Sequence, residues 1–132
     1  MVLVDSNIFF DLAAISSPMR AKALLALEDI GASGSIGINA VIYAEVSVAF
    51  GSVAKTDRFF DGLGVDLLDI PREALVAAGR AFVAYRRAGG ARSSPLPDFF
   101  VGAHALTLGV PLLTRDAKRF ATYFPGLALL RP

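Results

Sequence analysis

Asp5, Glu45, Asp98 and Asp116 are the residues of this 132-residue chain best suited to do chemistry. The inventory leaves few alternatives. There is no Cys and a single His, His104, so thiol nucleophiles, disulfides, thiolate metal sites and His-cluster metal sites are absent. A Ser-His-Asp arrangement has little scope, and chemistry must rest on carboxylates. A donor set made only of carboxylate oxygens suits the hard divalent ions Mg²⁺ and Mn²⁺. Such a site commonly acts on phosphate esters, because the ion makes bound water a usable nucleophile and offsets charge on phosphoryl oxygens. Spacing alone leaves open whether one ion or two would bind.

Three of the acids fall where an element begins. Asp5 ends the apolar run Val2 to Val4 ahead of Ser6-Asn7, and Asp116 follows Val110 to Thr114 after Arg115. Asp98 opens a helix after the loop AGGARSSPLP. Asp at such a turn is first of all a helix cap, accepting orphan backbone N–H groups. The same turns are where parallel α/β sheets bind ligands, so capping and function are compatible. Glu45 is different. Its neighbours at helical spacing, Val41, Ile42, Val48 and Ala49, are all apolar, so it projects from the stripe expected to face the core. A buried carboxylate costs several kcal/mol without a cation, which would be either an Arg or a metal shared with the three Asp residues.

The elements that must carry these acids read as alternating strands and helices. Strands are expected over Val2 to Asp5, Ile36 to Ile38, Val65 to Ile70, Val110 to Thr114 and Leu127 to Leu130. Helices are expected from Ser6-Asn7, from Pro18 to Gly31, from an Asn39 cap to Phe50, over Asp57 to Leu63, from Pro71 through Arg87, over Phe99 to Leu108 and over Asp116 to Tyr123. That alternation predicts an α/β chain, residues 1–132 forming one domain on a parallel sheet. With 55% hydrophobic residues, 19% charged and a mean hydropathy of +0.57, disorder is excluded and some apolar surface is expected to pack against another chain. Neither long uncharged stretch, 30–44 or 99–114, reaches the ~18–20 apolar residues of a membrane span. The N-terminus lacks a basic leader, so a cytoplasmic chain is expected.

Taken in order, VLVDSN, the lone acid in INAVIYAEV, LPDFFVGAHA after a basic loop, and PLLTRDAKRF followed by YFPGLALLRP resemble the PIN-domain ribonucleases. Within these, the likeness is to the VapC-type toxins of prokaryotic toxin–antitoxin pairs, and it runs over essentially the whole chain. The resemblance implies a three-layer α/β/α sandwich with a central, mainly parallel sheet. It implies that Asp5, Glu45, Asp98 and Asp116 are the catalytic, metal-holding acids, with Mg²⁺ or Mn²⁺ as cofactor. Asn7 matches a polar position that orients the first Asp, and Thr114 matches a supporting hydroxyl. The implied activity is endoribonucleolytic cleavage of structured RNA such as tRNA or rRNA loops, leaving a 3′-hydroxyl and a 5′-phosphate. The implied partners are the RNA substrate, a second copy in a homodimer, and a cognate VapB-type antitoxin through which alone DNA would be bound.

Arg92 and Arg115 are the candidate phosphate contacts, set against ordinary solvated surface or, for Arg115, an ion pair. Arg86, Arg87, Lys118 and Arg119 flank the same segments. His104, about 240° around the helix from Asp98, is expected to be a core or interface histidine, and the Phe residues are expected to be packing. Two other functions compete: a receiver-like phosphoacceptor, and a non-catalytic module whose acids dock a basic partner. The receiver is disfavoured because Asp5 is followed by Ser6-Asn7 and the late strand ends Thr114-Arg115-Asp116. The net charge of +1 is uninformative until four acids are assigned to a metal. Thirteen basic residues then face eight acids, a surplus of five positive charges around an acidic pocket.

Overall fold

A computed structural model describes residues 1–90 and 96–132. The described residues form five strands and seven helices: β1 (Val2–Val4), α1 (Ser6–Ala13), α2 (Arg20–Ser33), β2 (Ile36–Asn39), α3 (Ala40–Phe50), α4 (Val53–Gly62), β3 (Val65–Leu68), α5 (Arg72–Arg87), α6 (Leu96–Leu108), β4 (Leu112–Leu113), α7 (Ala117–Tyr123) and β5 (Leu129–Leu130). The strands make one sheet in the order β3-β2-β1-β4-β5, and every pairing is parallel. Leu3 lies between Gly37 on one side and Leu112 on the other. Right-handed crossovers put α1 to α4 on one face and α5 to α7 on the other, giving the expected α/β/α sandwich. A receiver-like sheet would run 2-1-3-4-5, with β3 rather than β4 beside β1, so that alternative fails on topology. Among the described residues, no helix is long and apolar enough to cross a membrane.

Each face has its own aromatic cluster. Phe9 meets Phe59 and Phe60 edge-on, with Tyr43 and Phe50 beside them, while Phe99 on the opposite face contacts Phe82, Tyr85, Tyr123 and Phe124. Phe9, Phe99 and Phe120 are fully buried, so these rings are packing, as expected; Phe10 stays partly exposed. His104 is also core. Its Nδ1 lies 3.1 Å from the Asn39 side-chain nitrogen, whose Oδ1 is already accepting from the Ile42 N–H as the α3 cap. The Asn39 amide therefore donates to Nδ1, which places the histidine proton on Nε2, and burial lowers the ring's proton affinity.

The structure moves several boundaries. α4 starts four residues before Asp57, because Ser52 caps it through the Lys55 N–H at 3.2 Å. α2 begins at Arg20 and continues through Gly31 to Ser33, and α6 begins at Leu96, so Asp98 lies inside its first turn and does not precede it. The last two strands are only two residues each. Gly102 sets the spacing between α6 and α7: a β-carbon there would run into the Phe124 ring, with Phe120 close behind. Helix propensity alone would favour Ala by about 1 kcal/mol. Overpacking wins at this contact, so Gly102→Ala is expected to lower stability by roughly 1–3 kcal/mol in urea unfolding. An unchanged or raised midpoint would show that α6 and α7 are not held at this spacing by Gly102.

Candidate functional site

The sheet order reverses between β1 and β4, where the chain leaves adjacent strands for opposite faces. Ligand sites of parallel sheets form outside the carboxyl ends of strands at such a point. Asp5 stands at the end of β1 and Asp116 just beyond β4. The Asp5 N–H donates to the Leu113 carbonyl at 2.9 Å, continuing the ladder one residue past β1.

Asp5 both caps α1 and faces the cleft. Its Oδ1 accepts from the Ser6 N–H at 2.8 Å, and its Oδ2 accepts from the Thr114 hydroxyl at 2.8 Å and from the Asn7 amide at 3.2 Å. Thr114, fully buried, also accepts from the Asp116 N–H at 3.0 Å. The Asn7 amide is shared further with Thr114 Oγ1 at 3.3 Å and Asp116 Oδ2 at 3.2 Å, and Asn7 Oδ1 accepts from the Arg115 N–H at 3.3 Å. Asn7 and Thr114 thus tie Asp5 to Asp116 across the split in the sheet. Asp116 occupies the cap position of α7 but makes no side-chain capping bond, which leaves its carboxylate to the cleft.

Glu45 reaches the same cleft from α3, and Asp98 from α6. Val48 is 82% exposed, and Ala49 is exposed too, so the apolar stripe around Glu45 is only half a core stripe. Glu45 stands at its margin, and among the described residues no Arg is ion-paired to it. Asp5, Glu45 and Asp98 are all raised above the ordinary carboxylate range. Burial pushes the Asp98 carboxyl up to about 7, Arg119 opposes the rise, and Asp5, Glu45 and Asp116 add to it. Asp5 is raised by burial against the hydrogen bonds from Thr114 and Ser6. Glu45 is raised by burial and by Asp5, with the Ser6 hydroxyl and Arg119 in opposition.

The cation among these acids is Arg119, which the sequence offers only as one of several flanking basic residues. Its Nε lies 3.0 Å from Asp98 Oδ2 and its Nη2 3.1 Å from Asp116 Oδ2. Among the described residues, no three acids stand together as a ready metal cage. The donor set nevertheless fits a divalent ion: hard oxygens only, and a buried Asp98 Oδ2 with no hydrogen bond.

Arg115 is ion-paired at 2.8 Å to Asp11, a buried acid of α1 that also accepts from the Ser17 hydroxyl at 3.0 Å. Asp11 escaped the sequence reading: its neighbours at helical spacing include the polar Asn7, so spacing alone does not mark it as a core acid. Arg92 lies outside the described residues, as do Ser93 and Ser94.

A three-layer sandwich with a carboxylate cleft at the switch point of its parallel sheet is the class that fold and site define. Residues 2–123 match the family model described as PIN domain, and the chain belongs to that family. No curated protein matches the sequence. Among solved structures, the chain is similar to the VapBC complex of Rickettsia felis bound to a DNA fragment from its promoter, at 18% identity and a TM-score of 0.76, covering 100% of this chain and 99% of that one. A toxin–antitoxin complex from Klebsiella pneumoniae matches at 25% identity and a TM-score of 0.71, covering 97% and 96%. The sarcin–ricin-loop-cleaving VapC toxin of Mycobacterium tuberculosis matches at 15% identity and 0.66, covering 100% of both chains. The VapC toxins therefore share this fold from end to end.

The raised Asp98 carboxyl has a sign that can be checked. Its folded proton affinity exceeds the unfolded value, so its contribution to stability is fully present below pH ~4 and is lost as pH rises through about 7. Asp98→Asn removes that loss. With EDTA present, the variant's Tm minus that of the wild type should grow from pH 5 to pH 8, reaching a gain of roughly 1–3 kcal/mol. His104 titrates in the opposite sense in both proteins and cancels in the difference. A difference that shrinks with pH would contradict the rise that burial, with the neighbouring acids, gives Asp98.

Proposed function

We propose that the chain is a Mg²⁺- or Mn²⁺-dependent endoribonuclease, the toxin of a toxin–antitoxin pair. The observation that carries this reading is the Asn7–Thr114 hydrogen-bond network that ties Asp5 to Asp116 at the switch point of a PIN sheet, with Arg119 bridging Asp116 to Asp98. The similar structures support the wider assignment, since they include VapBC complexes, some of them bound to DNA, and a toxin that cleaves the sarcin–ricin loop.

In this reading Asp5, Glu45, Asp98 and Asp116 would hold the ion. A divalent cation supplies Lewis acidity there, activating water and offsetting charge on the phosphoryl oxygens. The protein's own residues position the reaction. Thr114 and Asn7 fix the rotamer of Asp5 and leave its outward lone pairs to the cleft. Burial raises the proton affinity of Glu45 and pushes Asp98 up to about 7, so both carboxyls would gain from a cation that keeps them ionised. Arg115, steadied by Asp11, and Arg92 would take phosphates of the RNA strand. The products would be a 3′-hydroxyl and a 5′-phosphate. A homodimer, a cytoplasmic location and a VapB-type antitoxin that carries the DNA-binding half complete the reading.

Purified protein should cleave tRNA or rRNA when Mg²⁺ or Mn²⁺ is added and stop when EDTA is added. Asp5→Asn and Asp116→Asn should each lower the cleavage rate by about 10²-fold or more. Wild-type rates in either variant would remove the assigned mechanism. Thr114→Val, which deletes one hydrogen bond to Asp5, should cost roughly 10–100-fold in rate or metal affinity while the protein stays folded. The remaining rival, a non-catalytic docking module, predicts that neither wild type nor Glu45→Gln binds Mn²⁺ in calorimetry; the ribonuclease reading predicts binding that Glu45→Gln weakens.

A further inference from the structure

Two of the cleft acids, Asp98 and Asp116, meet on one basic side chain. Among the described residues, Arg119 alone is ion-paired to any of Asp5, Glu45, Asp98 and Asp116. It bridges two of them, Nε to Asp98 and Nη2 to Asp116. For Asp98 Oδ2 it is the sole polar partner among the described residues, because that oxygen takes no hydrogen bond. Its charge also reaches Asp5 and Glu45. The guanidinium therefore lies against oxygens that a divalent ion would need. Two cations cannot share those oxygens at close range without strong repulsion. One must give way, and the arginine is free to do so, since its side chain is 40% exposed at the rim.

The cleft also supplies a place for it to go. Arg119 borders an open depression of about 670 Å³ that Arg115, Lys118, Arg131 and Tyr123 also line. Four basic side chains against one acid, Asp116, line that depression, so a forked guanidinium turned toward it would meet phosphate oxygens with paired donors. We infer that Arg119 is an exchangeable counter-ion: it neutralises the Asp98–Asp116 pair in the metal-free protein, and gives up those oxygens to the divalent ion to take a phosphate of the RNA strand. The inference rests on the metal-dependent reading above and adds a competition to it. Arg119 is a positioning residue in the first state and a substrate contact in the second.

The test uses the full chain without RNA, with Mn²⁺ affinity followed by titration calorimetry and by the loss of the free-ion EPR signal. Removing the competing cation in Arg119→Ala, and in Arg119→Gln as a longer neutral replacement, should tighten Mn²⁺ binding by about 3–10-fold. Arg119→Lys keeps the charge and should stay near wild type for Mn²⁺. With Mn²⁺ present and an RNA oligonucleotide made non-cleavable at its linkages, all three variants should bind RNA more weakly, the neutral ones by about tenfold. Mn²⁺ affinity that is unchanged or weaker in both neutral variants, with wild-type binding intact, would overturn the counter-ion assignment alone. Tighter Mn²⁺ binding with unaltered RNA affinity would overturn the phosphate contact. Failure of every protein, wild type included, to bind Mn²⁺ would overturn the metal-dependent reading and this inference with it.

Discussion

Asp5 and Asp116 leave neighbouring parallel strands in the same direction, so their carboxylates are carried to one rim of the sheet whatever the helices do. The register that aligns Val4 with Leu113 fixes this, and the chain cannot slide to relieve the repulsion without turning every strand residue to the wrong face. Asp98 on α6 and Glu45 on α3 stand within electrostatic reach of Asp5, so these acids bring more negative charge than Arg119, the one guanidinium paired to any of them among the described residues, can neutralise. The rest of the molecule is arranged to hold that unfavourable grouping in place. This is the usual relation between a scaffold and a strained site: stability is drawn from the core and spent where the chemistry is.

Three devices do the holding. The first is local: Asp5 caps α1 with one oxygen and accepts from Thr114 and Asn7 with the other, so the carboxylate has no rotamer freedom to retreat. The second is the aromatic packing on each face, with Phe9 in α1, the helix Asp5 caps, and Phe99 in α6, the helix that carries Asp98, both fully buried. The third is the close approach of α6 to α7 at Gly102, which sets how near Asp98 comes to Arg119. The first device concerns direction and the other two concern distance. A metal site would need both, because ligands must point inward and also stand at a fixed separation.

Much of this was legible in the sequence, for identifiable reasons. Asp5 and Asn39 are caps with a polar side chain at the junction of an apolar strand and an apolar helix, a local signal. The parallel sheet followed from alternating elements. The beginning of α6 was missed because Leu96 and Pro97 read as loop, although Pro is well tolerated in a first helical turn. Glu45 was singled out for a reason only half right: Ile42 is buried, but Val48 and Ala49 face outward. Arg119 and Asp11 could not be ranked from spacing, because what distinguishes them is a contact across elements. Asp98 and Arg119 are 21 positions apart, and Asp11 and Arg115 are 104 apart. No helical or strand period links such pairs.

Those two ion pairs give the arginines beside Asp116 opposite characters. Arg115 is held by a buried acid of α1 whose other oxygen is occupied by Ser17, and nothing in the cleft competes for it. Losing that pair would strand Asp11 in the core, which makes Arg115 a fixed point on the rim. Arg119 pairs instead with acids that repel one another and that a stronger cation would claim. Its partners gain by exchanging it, whereas the partner of Arg115 does not. A net charge of +1 hides this division. The basic residues around the depression are of two kinds, one anchored to shape the surface and one poised between the acids and the solvent, and only the second can respond when the charge in the cleft changes.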